Sequence, residues 1–318
     1  MLVGTLPTLV GDSSLSLAEK IISHPLISAV RYNTGGGSPF KPIDILTQVK
    51  RLTDRYKKVL YVDLEGRQLR VARWIPFEAG TVTLNRDFEI TPPARVHIRN
   101  AGWFNLVAAD PAKRKIYIEN GPKFGLGQYY FGESQSVHIV GGDFNVRGYF
   151  GGLDSEYVMA SVKLGINHFM LSFVEYASDL DEFYGYFSER RGFKQSIVLK
   201  IESQEGLKFI QKRTLASNSN EKLMAARDDL LISFGDNPIG IFKALQDIIK
   251  ADPNAILASR IMHGVQDSGE ITMGDISDLI LMSQIGYKNF MFSDGLAKYF
   301  DQAIKLWQKI LPIMKKGV

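Results

Sequence analysis

The chain has 318 residues, of which 45% are apolar and 23% charged, and this balance predicts an ordinary globular protein large enough for one α/β barrel or two smaller domains. The absence of cysteine excludes disulfides, thiolate zinc sites and cysteine nucleophiles, so any metal site must use oxygen or histidine ligands. The net charge of +4 is spread along the chain without a nucleic-acid-binding motif, so we expect no nucleic-acid partner.

The N-terminal part alternates short apolar strands with amphipathic helices. Residues 1–14 lack the basic start of a signal peptide, and no apolar run reaches the length of a membrane span, so we expect a cytoplasmic protein without membrane contact. Strands are predicted at 2–6, 26–31 and 59–63, and helices at 15–23 and 42–57. Two βα units followed by a third strand indicate a parallel sheet.

Between residues 69 and 138 the helical period disappears, and short alternating runs replace it. These runs, at 96–99, 115–118 and 137–140, are separated by turn residues, with a hairpin signal at Asn120-Gly121. We interpret residues 71–148 as a small inserted β-barrel domain. Because the insertion follows the third strand, it would lie at the carboxyl ends of the parallel strands and could act as a lid.

Alternation of helices and strands resumes after residue 152. The further predicted strands are at 168–173, 197–199, 229–236, 254–259 and 288–293. The further predicted helices are at 154–164, 178–190, 204–213, 239–250, 273–284 and 295–315. Eight strands and eight helices predict an α/β protein with a (β/α)8 TIM barrel, formed by residues 1–70 and 149–318.

Two charged residues end the fifth predicted strand. The apolar run 197–199 is typical of a strand buried on both faces, yet Lys200 and Glu202 follow it at alternate positions and therefore point to one side. Ionised groups there are costly unless they are paired or bind a ligand, and the carboxyl ends of barrel strands are where substrates and metals bind. On this segment alone, a structural Lys-Glu ion pair and a functional site are equally open.

Polar side chains also end the other strands from the second to the eighth. The full set is Arg31, Asn33, Asp63, Ser172, Lys200, Glu202, Asp236, Ser259, Arg260 and Ser293. Because the carboxyl ends of parallel strands meet at one rim, we expect these side chains to converge. Glu202 and Asp236 are oxygen ligands of the kind that Mg²⁺ or Mn²⁺ takes, and Arg31 and Lys200 offer positive charge to a phosphoryl group. Considered alone, Asp236 is also typical of a helix cap.

The same segments resemble those of the pyruvate kinase family in order and in spacing. The most specific match is Lys200-Ile-Glu-Ser-Gln-Glu-Gly206, which is similar to K-I-E-N-Q-E-G of the family. Other similar segments are 30–37 with A-R-L-N-F-S-H-G, 62–70 with L-D-T-K-G-P-E-I-R, 171–174 with A-S-F-V, 234–236 with R-G-D, 258–262 with A-T-Q-M-L and 291–297 with M-L-S-G-E-T-A. The resemblance covers the family's catalytic barrel and its inserted lid domain.

The resemblance implies a metal site and a phosphoryl-transfer site. Glu202 and Asp236 would hold Mg²⁺ or Mn²⁺, which bridges the phosphate and enolate oxygens of phosphoenolpyruvate in the family. Lys200 would neutralise the phosphoryl group, a task in which positioning and charge supply most of the rate.

The remaining matches are implied to bind the substrate and the nucleotide. The resemblance implies that Arg31, Asn33 and Ser172 contact the phosphate of the substrate. The backbone of Gly235 and Asp236 and the hydroxyl of Ser259 would bind the carboxylate of the substrate. Arg70 would contact the phosphates of ADP or ATP. Arg31 and Ser259 would complete a catalytic set with Lys200.

Departures from the family pattern predict that no potassium site is present. Asn33 and Asp63 of the family's monovalent cation site remain, but Gly35 and Leu64 remove its two hydroxyls. Gln68 stands where the family has the acidic residue that accompanies potassium dependence.

Other departures concern the nucleotide side and regulation. Gly36 stands for the family's histidine, Phe234 for the arginine of R-G-D and Gly295 for the glutamate of S-G-E-T. The sequence ends after the eighth predicted helix, so we expect the family's C-terminal regulatory domain to be absent. Without the interface that this domain provides in the family, we expect a monomer or a homodimer formed through the barrel.

Three functions are therefore open. The first is potassium-independent phosphoryl transfer between phosphoenolpyruvate and ADP. The second keeps the metal, Lys200 and the carboxylate pocket but performs other enolate chemistry, such as C–C cleavage, on phosphoenolpyruvate, oxaloacetate or another 2-oxo acid. The third is a non-catalytic sensor of such a ligand. Retention of Lys200, Glu202 and Asp236 disfavours simple decay, because unused charges at a barrel rim are costly.

Overall fold

The structure is a computed structural model that describes residues 1–119, 130–188, 192–213 and 220–316. The predicted turn at 120–121 and the end of the predicted helix 178–190 lie outside the described residues. In the described part of the chain, none of the helices combines the length and apolar character that a membrane crossing needs.

The described strands and helices follow the predicted alternation except around the sixth predicted strand and at the short helix His263–Ser268, which the sequence did not predict. In chain order the strands are β1 (Leu2–Thr5), β2 (Ala29–Asn33), β3 (Val59–Leu64), β4 (Leu69–Arg70), β5 (Ile75–Pro76), β6 (Thr81–Thr83), β7 (Phe88–Glu89), β8 (Ala94–Ile98), β9 (Gly102–Asp110), β10 (Lys115–Glu119), β11 (Tyr130–Phe131), β12 (Ser136–Val140), β13 (Asn145–Val146), β14 (His168–Leu171), β15 (Ser196–Ile201), β16 (Glu221–Ala226), β17 (Ile256–Ala258) and β18 (Asn289–Met291). The helices are α1 (Asp12–Ser23), α2 (Pro42–Arg55), α3 (Gly152–Leu164), α4 (Ala177–Gly185), α5 (Gln204–Gln211), α6 (Arg227–Ser233), α7 (Gly240–Ala251), α8 (His263–Ser268), α9 (Met273–Ile285) and α10 (Phe300–Lys316).

Eight parallel strands close into a barrel in the order β1, β2, β3, β14, β15, β16, β17 and β18, and β18 pairs with β1. One set of alternate strand residues, with members from all eight strands, packs together in the barrel interior. The other set packs in a larger core that also contains apolar side chains of the helices. The predicted parallel α/β barrel is confirmed.

The alternation of side chains along the barrel strands determines which polar residues lie at the rim. Four interior apolar residues are each followed, two positions later, by a buried residue of the predicted rim set. The pairs are Ala29 and Arg31, Tyr61 and Asp63, Met170 and Ser172, and Val198 and Lys200. Since residues two apart in a strand share a face, the four polar side chains point to the barrel axis at its carboxyl end.

The predicted sixth strand at 229–236 is wrong. The strand at this place in the barrel is β16, and residues 227–233 form α6 after it. A short apolar run such as 230–232 fits a buried strand and a helix equally well by periodicity, whereas β16 ends in alanines, which have low strand propensity. The error shifts the predicted rim residue of this unit by several positions.

The segment between β3 and α3 forms antiparallel sheets with a core of their own. Six strands pair in the order β4, β12, β8, β9, β10 and β6, and two smaller pairs join β5 to β11 and β7 to β13. The six-stranded sheet curls until Val71, beside β4, forms a bridge with Leu84, beside β6. The predicted change to β structure in this region is confirmed, and the lid role stays a prediction.

Candidate active site

Lys200 lies at the centre of the rim. Its Nζ donates to Ser172 Oγ at 2.7 Å and lies 3.2 Å from a carboxylate oxygen of both Asp63 and Glu202. Burial alone would lower the pKa of Lys200, but the negative charges of Asp63 and Glu202 raise it above its ordinary value. The ammonium is therefore a fixed positive charge facing the barrel axis.

Arg31 shares a counterion with Lys200. Its Nε lies 2.5 Å from Asp63 Oδ2, the same oxygen that Lys200 contacts, and its Nη1 lies 2.8 Å from Asp294 Oδ1. Burial opposes ionisation of Arg31, yet Asp63 and Asp294 together raise the pKa of the guanidinium. One buried carboxylate thus links two buried cations.

Glu202 is held by backbone on the other side of Lys200. Its Oε2 accepts from the amide of Phe173 at 2.8 Å, and Phe173 follows β14 with a left-handed φ of 52°. Burial raises the pKa of Glu202 to about 7; Lys200 opposes this rise, and the charges of Asp229 and Asp63 add to it. The carboxyl is therefore short of positive charge and suited to a cation.

Asp229, in the first turn of α6, faces the same cavity as Glu202. Its Oδ1 lies 2.9 Å from Nε2 of His138 in β12, a close contact without the alignment of a linear hydrogen bond, and accepts from Nη2 of Arg99 at 3.1 Å. Burial would raise the pKa of Asp229, but His138, Arg99 and Lys200 more than offset it and lower the pKa. Residues of the curled sheet therefore reach this carboxylate directly.

Asp236 does not lie with Glu202. Its side chain is 85% exposed and pairs with Arg95 of β8. Among the described residues that line the rim cavity, Asp229 is present and Gly235 and Asp236 are not. The structure thus joins Asp229, not Asp236, to Glu202.

A sequence signal for Asp229 existed. Residues 227–229, Arg-Asp-Asp, match two of the three positions of R-G-D, which is as many as residues 234–236 match. The segment 227–229 directly follows β16, as rim residues do, whereas 234–236 follows a helix.

Ser259 lies in an unusual loop after β17. Ser259 and Arg260 both have left-handed backbone, with φ of 65° and 54°, a conformation that non-glycine residues rarely adopt. Arg227 donates to the carbonyl of Ser259 from Nε at 3.1 Å and from Nη2 at 2.9 Å, while its Nη1 lies 2.6 Å from Asp278 of α9. Arg227 therefore positions Ser259 at the cavity, a role that the sequence did not predict.

The rim encloses a cavity of about 310 Å³. Of the residues predicted for the site, the cavity is lined by Arg31, Asn33, Arg70, Ser172, Lys200, Glu202 and Ser259. It also receives Arg99, Ser134, Gln135 and Ser136 from the curled sheet or its turns. The sheet and the barrel thus form one site.

Arg70 is engaged by neighbouring groups. Its Nε pairs with Glu65, its Nη2 donates to Gln68 Oε1 at 2.9 Å and its Nη1 donates to the carbonyl of Ser134 at 2.9 Å. A side chain at Gly35 would collide with Arg70 and Glu65, so the ion pair takes the space beside this glycine.

Comparison with known proteins points to one family. No family model matches the chain. The chain is 21% identical over 324 residues to a pyruvate kinase of Thermoplasma acidophilum and 22% identical over 311 residues to one of Borreliella burgdorferi. These alignments cover 94% and 91% of the chain. The chain is thus similar to pyruvate kinases over most of its length.

The similarity has a limit in length. The chain spans 55% of the Thermoplasma acidophilum protein and 63% of the Borreliella burgdorferi protein. A pyruvate kinase of Buchnera aphidicola subsp. Baizongia pistaciae is 27% identical over 184 residues, which is 56% of the chain. The predicted resemblance to pyruvate kinases is therefore confirmed as a similarity over most of the chain at low identity.

Proposed function

We propose that this chain catalyses Mg²⁺-dependent transfer of a phosphoryl group between phosphoenolpyruvate and ADP. The observation that carries the proposal is the buried Lys200, held by Ser172, Asp63 and Glu202 at the carboxyl end of a closed parallel barrel. Similarity to pyruvate kinases over most of the chain supports the same reaction class.

Glu202 and Asp229 are the residues proposed to hold the metal ion. The described residues contain no group of three or more metal-ligating side chains, so protein ligands alone do not complete a coordination shell. Two carboxylates fit Mg²⁺ or Mn²⁺, which keep waters and substrate oxygens as further ligands. When bound, the cation would act as a Lewis acid on the oxygens of the substrate. The raised pKa of Glu202 fits a carboxyl that gains from a nearby cation.

The other residues act by charge and position. Lys200 is proposed to face the phosphoryl group as it leaves the enolate oxygen of phosphoenolpyruvate for ADP, and the enolate is then protonated to pyruvate. Arg31 and Asn33 are proposed to contact the phosphate, and Ser259 the carboxylate. Ser172 donates to one oxygen of Asp63 at 3.4 Å and accepts from Lys200, so it holds the ammonium in place.

A second function, enolate chemistry on a 2-oxo acid without a nucleotide, is favoured by one observation. Arg70, the proposed contact of the nucleotide phosphates, is paired with Glu65, and Glu65 stands where the family pattern has lysine. A nucleotide must therefore compete with a carboxylate for this guanidinium.

Turnover of phosphoenolpyruvate with ADP and Mg²⁺ tests the proposal. We expect pyruvate and ATP in equal amounts, with the same rate when K⁺ is replaced by a larger organic cation. Potassium should have no effect because Arg70 lies beside Gly35 and because Asp63 already binds Arg31 and Lys200. Metal-dependent binding of phosphoenolpyruvate without formation of ATP would reject the kinase and leave the second function.

Exchange of Asp229 for asparagine should strongly weaken metal binding, whereas the same exchange at Asp236 should leave it unchanged. Loss of one of two carboxylate ligands is expected to weaken Mn²⁺ binding by about a hundredfold or more, since even partners of ligands contribute ten- to about a hundredfold. Titration with Mn²⁺ followed by electron paramagnetic resonance measures both variants. Equal weakening by Asp229→Asn and Asp236→Asn would contradict the assignment.

A further inference from the structure

The carboxylate of Asp294 accepts from donor groups of Arg31 and Asn33, two residues that line the cavity. Its Oδ1 lies 2.8 Å from Arg31 Nη1, and its Oδ2 accepts from Asn33 Nδ2 at 3.2 Å. Arg31 and Asn33 are two positions apart in β2, so both side chains point to the same side of the strand. Asp294 follows β18, the strand on the far side of β1 from β2. The contact therefore crosses the rim between two separate strands.

The two donors form a cradle for an oxyanion. A guanidinium and an amide that converge on the same group suit a carboxylate or a phosphate. In this protein the group is the carboxylate of Asp294, which belongs to the chain. Because Nε of Arg31 is already paired with Asp63, the guanidinium faces two carboxylates. An incoming anion must displace Asp294 and then remain near its charge.

The charges that line the cavity balance. Five are cationic, namely Arg31, Arg70, Arg99, Lys200 and Arg260, and five are anionic, namely Glu65, Glu202, Asp228, Asp229 and Asp294. Neutralisation of Asp294 removes one negative charge from beside Arg31 and leaves Asp63 as the carboxylate that still pairs with it. Of the five, Asp294 is the one that contacts both members of the cradle.

Asp294 is also placed to move. Its side chain is 56% exposed, whereas that of Arg31 is 9% exposed. A half-exposed carboxylate pairs only weakly because water competes for it, so a ligand that pairs with the buried Arg31 can displace it. The buried partner stays in place and keeps its other contact with Asp63.

We propose that Asp294 is a specificity-determining residue that competes with the ligand for the cradle of Arg31 and Asn33 and lowers the affinity of this subsite for doubly charged phosphate more than for a monocarboxylate. This inference deepens the proposed function, since it concerns the subsite assigned there to the substrate phosphate. A phosphate dianion near the Asp294 carboxylate is repelled about twice as strongly as a monocarboxylate at the same distance. Asp294 therefore lowers the affinity for phosphate more than that for a simple 2-oxo acid.

The test compares Asp294→Asn with the wild-type chain and with Asp301→Asn. Asp301 belongs to the same C-terminal part of the chain, is exposed and pairs with Lys20 away from the cavity. Calorimetric titration uses inorganic phosphate and pyruvate as probes, at a pH where phosphate is doubly charged. We expect Asp294→Asn to bind phosphate about tenfold more tightly and pyruvate about threefold more tightly, and higher ionic strength to reduce the difference. Asp301→Asn should behave as the wild type.

Unchanged phosphate affinity in Asp294→Asn, or an equal gain for phosphate and pyruvate, would overturn the inference. Asp294→Gly serves as a second variant if the asparagine side chain keeps the cradle closed by hydrogen bonding, and it must show the same preference. The outcome is independent of the proposed function, which the turnover assay decides. Tighter phosphate binding together with no formation of ATP would retain the role of Asp294 and reject the kinase.

Discussion

Replacement of Lys200 by methionine is expected to lower the turnover of phosphoenolpyruvate by about a thousandfold. The side chain supplies a fixed positive charge where negative charge shifts during phosphoryl transfer, and single groups in that position contribute about a hundred- to a hundred-thousandfold. Methionine keeps much of the length of the lysine stem, and the backbone pairing of β15 with β14 and β16 does not depend on this side chain. Steady-state kinetics with Mg²⁺ and ADP measure the loss.

Two further variants make the result specific. Lys208, in the helix that follows β15, is exposed and pairs with Glu205, so Lys208→Met is a matched control that should keep the wild-type rate. Lys200→Arg keeps the charge with a different shape and should recover part of the activity. If folded Lys200→Met, verified by circular dichroism, keeps activity within tenfold of the wild type, Lys200 is a structural member of an ion pair and the proposed mechanism is wrong.

The alternation of strand residues made much of the rim predictable. Lys200 and Arg31 are predicted at the rim because each ends a predicted strand, and in the structure each continues the interior face of its strand. The closed barrel then brings the ends of separate strands within hydrogen-bonding distance. Period two and parallel pairing therefore carry most of the information about the centre of the site.

The sixth unit shows where this reasoning fails. Leu-Leu-Ile at 230–232 is more apolar than the end of β16, so the apolar pattern predicts a strand where the structure has α6. The same pattern predicts Asp236 as the rim carboxylate. The pairing of β15 with β16 identifies β16 as the sixth strand of the barrel, because Leu199 of β15 pairs with Leu223 of β16. Such pairing is tertiary information that a single sequence does not contain.

The contacts that residues of the curled sheet make with Asp229 could not be predicted from the sequence either. Arg99 and His138 reach Asp229 because the sheet packs over the carboxyl end of the barrel, and nothing in their local sequence indicates this position. The pairing of Arg31 with Asp294 joins residues 263 positions apart. Alternation places a side chain on a face, but the identity of its counterion depends on the closed structure.

Both arginines proposed to bind phosphates are paired with carboxylates of the chain, Arg31 with Asp294 and Arg70 with Glu65. Asp294 is half-exposed, but the side chains of Arg70 and Glu65 are each only 14% exposed. A ligand therefore displaces Asp294 more easily than it displaces Glu65. This difference favours binding of an anion at the Arg31 subsite before any binding of a nucleotide at Arg70.

Replacement of Asp63 by alanine is expected to lower the free energy of unfolding by about 3–5 kcal/mol. Asp63 is 2% exposed and is the shared counterion of Arg31 and Lys200, so its removal leaves two buried cations close together, with only Asp294 and Glu202 as their remaining counterions. Removal of one partner of a buried ion pair costs about this amount because the remaining charge is uncompensated. Urea denaturation at neutral pH measures the change. Asp54→Ala, which breaks an exposed pair with Lys50 in α2, should change stability by less than about 1 kcal/mol.

A double variant separates charge from packing in this network. If the cost of Asp63→Ala comes from uncompensated charge, Lys200→Met should relieve part of it, because one of the two cations is then absent. The double variant is therefore expected to be more stable than the sum of the single changes predicts, by about 0.5–3 kcal/mol. Additive losses would mean that Asp63 stabilises the barrel through packing and hydrogen bonds alone. Since Asp63 Oδ2 contacts Lys200 directly, coupling in this cycle would show that Asp63 stabilises the buried ammonium through its charge.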